Sequence, residues 1–168
     1  MPVATAIEAP VVLAALTGVG ATHVVTVPDT HQKSVMIALD ESDIPVVRAA
    51  TEDDALAICA GLWMAGHRPV ALIQQLGLFA SVNALRAFTH DQSVPLAILA
   101  GMYGRDVDVT VEENRGSAVN LCLPLLDTLG IRSVLVEGPD DGHLIEPSLA
   151  AAFDEICTSV VLLGAPTT

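Results

Sequence analysis

Three carboxylates stand in a row in Thr51-Glu52-Asp53-Asp54, where an apolar strand hands over to a segment of helical period. The residues alone support two readings. As a helix start, Thr51 caps and the acids face the positive end of the helix dipole. As a site, Glu52 is the acid at the strand's end, where ligands of a parallel α/β sheet bind and where a carboxyl group can do acid–base work. Five histidines (His23, His31, His67, His90 and His143) are dispersed, and no pair has metal-ligand spacing, so no metal is assigned to this chain. His31 lies in the connection Pro28-Asp29-Thr30-His31 after a strand. His90-Asp91 precedes another strand and is a second candidate to face a ligand. Lys33, Arg105 and Arg115 are candidate partners for an anionic group, with solvated surface charge as the competing reading.

These residues are positioned by apolar runs of strand length that alternate with helical segments. Strands are expected at 23–27, 45–49, 70–74, 95–100, 131–136 and 160–163. Helices are expected from about Ala9 to Thr17, from near Gln32, from Glu52 to Ala65, from Gly77 to Phe88, from Ser117 to Leu129 with a kink or late start at Pro124, and from Pro147 to Cys157. Thr5-Ala6-Ile7-Glu8 also has capping-box form, but would bury Pro10 inside the helix, so the later start is preferred. The polar stretch 101–116 reads as a loop. Repeated βα units imply a three-layer α/β fold, a largely parallel sheet with helices on both faces, in one domain spanning residues 1–168. The ligand loops are then Pro28–His31, Ala50–Asp53 and Gln74–Leu78.

Composition narrows the function. The chain has 20 acidic against 7 basic residues, a formal net charge of −13. That excludes a nucleic-acid footprint and disfavours an anionic membrane surface. It also leaves few cations for a phosphorylated ligand. A hydrophobic fraction of 52% with 3% aromatics gives an aliphatic core larger than a domain of this length needs, which fits a doubly covered sheet, a subunit interface, or both. Three widely spaced cysteines (Cys59, Cys122 and Cys157) read as reduced thiols, and Met1-Pro2-Val3 opens no signal peptide, so a cytoplasmic location is expected. There is no dinucleotide fingerprint, P-loop or nucleophile elbow.

Glu52-Asp53-Asp54-Ala55, then Cys59-Ala60-Gly61 and Ala65-Gly66, resembles the glutamate motif of thiamine-diphosphate enzymes, in which a small residue comes three positions after the glutamate and a glycine nine positions after it. Gln74-Gln75-Leu76-Gly77-Leu78, with Ser81-Val82-Asn83-Ala84-Leu85, resembles the same family's second motif. Val27-Pro28-Asp29-Thr30 with Lys33 resembles its first loop, and Leu126-Asp127-Thr128-Leu129-Gly130-Ile131 its closing segment. The ordering is similar to that of the sulfopyruvate and phosphonopyruvate decarboxylases, over most of the chain from about Pro10 to Val136.

The resemblance implies the pyrimidine-binding, or alpha, subunit of a 2-oxoacid decarboxylase, a lyase. Glu52 would be its catalytic residue, hydrogen-bonding N1′ of the cofactor's aminopyrimidine so that the imino tautomer removes the thiazolium C2 proton. The cofactor then accepts the electrons left by CO₂. The role needs a carboxyl group that shares a proton in an apolar site. Pro28, Glu52, Gln75, Leu76, Gly77 and Leu78 would bind the cofactor, and Asp29, Thr30, His31, Lys33, His90 and Arg105 would face the substrate. The family's GDG motif and downstream asparagines, which hold Mg²⁺ and the diphosphate, have no match here. A diphosphate-binding beta subunit is therefore expected on a partner chain, in a hetero-oligomer such as α2β2 or larger. Leu76, Phe79 and Ala80 depart from the sulfopyruvate-type motif, as do Met102-Tyr103-Gly104 from its His-Arg-Gly. The substrate is accordingly open between a sulfopyruvate- or phosphonopyruvate-like acid and a less polar one. The competing reading is a non-catalytic α/β small-molecule-binding or scaffolding subunit.

Overall fold

The structure, a computed structural model, describes residues 6–168. Among the described residues six strands form one sheet: β1 (His23–Thr26), β2 (Val46–Arg48), β3 (Pro69–Gln74), β4 (Leu96–Gly101), β5 (Arg132–Val136) and β6 (Thr158–Leu163). Their order is β2-β1-β3-β4-β6-β5, and every pairing is parallel. A three-layer α/β architecture is thus observed, with a fully parallel sheet where a largely parallel one was expected. The sequence explains who sits where. β4 and β6 are buried at every residue, whereas β2 and β5, with arginines at one end, take the edges and are half-exposed.

Alternation along each strand divides the core in two. Val24, Val70, Leu72, Ala97, Leu99, Val161 and Leu163 face one side, under helices α1 (Ala9–Gly18), α2 (Lys33–Asp40) and α8 (Ile145–Asp154). Val25, Ala71, Ile73, Ile98, Ala100, Val160 and Leu162 face the other, under α3 (Glu52–Met64), α4 (Gln75–Ala80), α5 (Val82–Arg86) and α7 (Cys122–Thr128), the last preceded by the short α6 (Ser117–Asn120). The chain leaves β1 toward one face and leaves β2 and β3 toward the other. The carboxyl ends of β1 and β3 are therefore a switch point of the kind where α/β sheets hold ligands.

Helix boundaries reflect the local chemistry. α1 begins at Ala9 with Pro10 in its first turn, where no amide is needed; Thr5 of the alternative capping box lies outside the described residues. Thr51 caps α3, its hydroxyl accepting from the Asp54 amide, and Gly66, at φ +89°, terminates it. The segment expected to start a helix at Gly77 instead begins at Gln75, breaks at Ser81, and continues through α5 into a π-turn over Ala87–Asp91. Pro124 splits the expected 117–129 helix: it stands third in α7, where its missing N–H leaves no bond unmade. The last helix starts at Ile145 after a 3₁₀ turn over Pro139–Leu144, and so takes Pro147 into its first turn. No described helix is long and apolar enough to cross a membrane.

All three cysteines are free. Burial pushes the Cys59 thiol up to about 12 and the Cys122 thiol up to about 11, from an ordinary 9.0. The fold thus holds both thiols neutral. That contribution to stability is complete below pH 9.0 and is lost as pH rises toward about 12, because the unfolded chain ionises first. Thermal midpoints are expected to fall across that window, less steeply for Cys59→Ala. At neutral pH a thiol reagent should label Cys157 in the native chain, and Cys59 and Cys122 only after unfolding.

Candidate functional site

The connection after β1 is clamped across three other strands. Asp29 Oδ1 accepts from Gln74 Nε2 at the end of β3 (2.7 Å) and from the His31 amide (3.1 Å). The His31 ring meets the Leu163 carbonyl at the end of β6 at 3.1 Å; since a carbonyl only accepts, this bond puts the proton on Nε2. The fully buried Gln32 donates to the Ile73 carbonyl at 2.7 Å. The whole turn rests on the bare Cα of Gly101, where a Cβ would stand 2.8 Å from His31 Cδ2 and 3.0 Å from both Asp29 Oδ2 and Gln32 Cγ. Asp29 Oδ2 and Gln32 Oε1 are buried without partners.

Glu52 opens α3 beyond the end of β2. Asp53 and Asp54 are exposed, and the Thr51 hydroxyl, helped by the backbone amides of Asp53 and Asp54, holds the Asp53 carboxyl below its ordinary value. Glu52 is half-buried, and its side chain lies across the first turn of α4. A Cβ on Gly77 would stand 2.8 Å from Glu52 Cβ and 2.7 Å from Cδ, and closer still to Cγ. Only glycine permits that approach. Next to it, Gln75 is buried and its amide group pairs in both directions with the Tyr103 backbone, Nε2 to the carbonyl at 2.7 Å and Oε1 from the amide at 2.9 Å. Leu78 is likewise fully buried, while Leu76 is 48% exposed. The site therefore combines a half-buried carboxyl group with an apolar side chain at the carboxyl edge of a parallel sheet.

The structure sorts the other expected residues. Pro28, Asp29, Thr30 and Lys33 line a cleft of about 270 Å³ with Met36, Asp40 and Arg48. His90 lies at the opposite end of the sheet: a residue that precedes β4 sits at the strands' amino edge, and its ring bonds the Leu129 carbonyl ahead of β5 at 2.8 Å. It does not face this site, which corrects the expectation. Arg105 is corrected too. Its side chain is 2% exposed and is consumed by Glu137 (2.6 Å) and by the carbonyls of Asp106 and Val109, which fold the 102–116 loop. Arg115 lines a separate hollow of about 370 Å³ in that loop, with Asp106, Glu113 and Asn114. The sequence gives no role to Gln32, Gly101 and Arg48, and places Gln74 only at the start of a ligand loop. The signals were there: a glutamine or arginine ending an otherwise apolar strand, and a glycine after one. No group of three metal-ligating side chains occurs among the described residues.

Comparison with known proteins bears on this arrangement. The family model described as thiamine pyrophosphate enzyme, N-terminal TPP binding domain, matches residues 9–114, more than half of the chain; thiamine pyrophosphate and thiamine diphosphate are one compound. The sulfopyruvate decarboxylase of Methanosarcina acetivorans is 27% identical over 143 residues, covering 83% of this chain and 35% of that protein. The sulfopyruvate decarboxylase subunit alpha of Methanococcus maripaludis is 28% identical over 86 residues, covering 51% of this chain and 52% of that subunit. The chain thus spans about a third to a half of these relatives. Among solved structures, a 2-oxoglutarate:ferredoxin oxidoreductase from Magnetococcus marinus superposes with a TM-score of 0.66 over 94% of this chain and 30% of that one, at 16% identity, a likeness of fold.

Two glycines separate local cost from site geometry. A Cβ at Gly61 meets nothing within 4 Å, so Gly61→Ala should stabilise the chain by about 0.5–1 kcal/mol. Gly77→Ala, although also helical, should destabilise by about 1–3 kcal/mol and displace Glu52. Chemical denaturation of the two variants measures both signs.

Proposed function

The chain belongs to the thiamine pyrophosphate enzymes, as an N-terminal TPP-binding domain, and from that premise we propose that it is the pyrimidine-binding alpha subunit of a heteromeric decarboxylase acting on a 2-oxo acid. The observation that carries the reading is the Glu52 side chain laid on the bare Cα of Gly77, at the carboxyl edge between β2 and β3. Glu52 would hold the aminopyrimidine by a shared proton at N1′. Leu76, 48% exposed beside it, would give the ring an apolar contact. Gln75, tied to Tyr103, fixes the strand exit from which Leu76 and Gly77 project. Asp29 and His31 are turned inward to clamp this loop on Gln74, Leu163 and Gly101, and the exposed Thr30 is the residue of the loop that would face the oxo acid. When bound, the cofactor supplies the electron sink for the pair released with CO₂.

The residues present fit the aminopyrimidine half of the cofactor and not its diphosphate. Of the seven lysines and arginines, five are in ion pairs, and no metal-ligating cluster occurs among the described residues. Mg²⁺ and the diphosphate therefore fall to a partner, a beta subunit, in an assembly such as α2β2. Two further observations support a partner. Gly61 is an exposed glycine inside α3 for which the chain itself gives no steric reason. Leu76, Tyr103 and Leu121 expose apolar surface at 48%, 59% and 53%.

The chain alone should show no decarboxylase activity. Mixed with a diphosphate-binding partner, thiamine diphosphate and Mg²⁺, it should decarboxylate sulfopyruvate or a similar 2-oxo acid. Glu52→Gln should lower the rate of the mixture by at least about a hundredfold while the two chains still co-elute on size exclusion. Undiminished turnover by that variant would sink the assignment.

A further inference from the structure

The segment that follows β6 runs back over the Pro28–His31 loop. Residues 164–168 leave the sheet at its carboxyl edge, where the Gly164 amide donates to the Val136 carbonyl at 2.8 Å and Ala165 is fully buried. Thr167 is half-buried and its hydroxyl bonds twice. It accepts from Ser34 Oγ of α2 at 2.7 Å and donates to the His31 carbonyl at 3.1 Å. On its other side the segment pairs in parallel with the residues ahead of α1. The amide of the fully buried Ile7 donates to the Pro166 carbonyl at 3.0 Å, the Thr168 amide to the Ile7 carbonyl at 3.0 Å, and the Ala9 amide to the Thr168 carbonyl at 2.8 Å. Thr167 therefore reaches the loop from a fixed ladder, and from β6, three places from β1 in the sheet. The other anchors hold side chains: Gln74 and Gly101 hold Asp29, Leu163 holds the His31 ring, and the Ile73 carbonyl holds Gln32. Thr167 holds the main chain. From His31 the bonds continue toward Glu52. The His31 amide and Gln74 Nε2 share Asp29 Oδ1, Gln74 directly precedes α4, and Gly77 of α4 carries the Glu52 side chain.

We propose that Thr167 is a positioning residue. Its hydroxyl fixes the peptide that leaves His31, and so sets where Thr30, one residue earlier, meets the ligand. Thr167 acts through the loop and touches no ligand. The bonds of the Asp29, His31 and Gln32 side chains keep the loop against the sheet, but none of them restrains the carbonyl of His31. A backbone carbonyl deprived of its partner turns to find another, and the peptide turns with it. Removing the hydroxyl also takes the acceptor from Ser34 and so loosens the loop from the start of α2. The assignment rests on the decarboxylase reading only for its effect on turnover. The effect on the loop follows from the bonds alone.

Two variants separate the hydroxyl from the shape of the side chain. Thr167→Val keeps the branched carbon and removes both bonds, and Thr167→Ser keeps the hydroxyl. Relaxation dispersion on the ¹⁵N-labelled chain reads motion of the loop in the folded state. Thr167→Val should bring exchange broadening to the amides of Thr30, His31 and Gln32, while those of Ile98 and Val161 in β4 and β6 stay sharp. Thr167→Ser should look like the parent. A loop as quiet in Thr167→Val as in the parent, broadening that extends equally to β4 and β6, or broadening in Thr167→Ser would each overturn the proposal. In the mixture with a diphosphate-binding partner, Thr167→Val should raise KM for the 2-oxo acid about fivefold and leave kcat within about twofold, and Thr167→Ser should restore KM. A loss confined to kcat, or no change in either constant, also overturns it. The relaxation measurement uses neither cofactor nor partner. A quiet loop therefore leaves the Glu52 assignment standing, and failure of the Glu52→Gln test leaves the loop measurement interpretable.

Discussion

The contact of Glu52 with the Cα of Gly77 is the constraint on which the site depends. It joins two βα connections that belong to different strands, one leaving β2 and one leaving β3. A carboxyl group at the first position of a surface helix would ordinarily point into water, where it does nothing beyond complementing the dipole. Here the missing side chain at Gly77 lets it fold back over α4 and become half-buried. The glycine is thus a cradle, and its cost in helix propensity is the cost of holding the acid in place.

Around that contact the strand ends are bound together by polar side chains in an otherwise aliphatic molecule. Gln74 reaches Asp29, Gln32 reaches the Ile73 carbonyl, Gln75 pairs with the Tyr103 backbone, and His31 meets the Leu163 carbonyl. Gln74 and Gln75 leave β3, and His31 and Gln32 follow β1, and each bonds a neighbour across the same edge of the sheet. The hydrophobic layers beneath drive burial without specifying direction. Hydrogen bonds between buried amides and carbonyls specify it, because a broken one leaves a desolvated group unpaired. The edge is therefore rigid where the core alone would leave it soft.

Charge limits what this surface can hold. At −13 the protein carries few cations, and most are tied to acids at the sheet's periphery or inside the 102–116 loop. Such a surface is ill matched to a polyanionic ligand.

Strand positions were legible because burial on both faces leaves an apolar run that few other structures need: 95–100 was expected for β4, which spans Leu96–Gly101. Glu52 was legible as the acid at a strand's end, and its spacing to Ala55 and Gly61 carried the family resemblance. Contacts between distant residues were not. Nothing in the chain's order states that Glu52 lies on Gly77, that Gly101 supports Asp29 and His31, or that Arg105 is buried against Glu137, because these are fixed by which strands are neighbours. His90 shows the limit most simply. Sequence gives its distance along the chain from β4. A parallel sheet, however, gathers the connections leaving its strands at one edge and those entering them at the other. Only the assembled sheet assigns a residue to the side where chemistry is done.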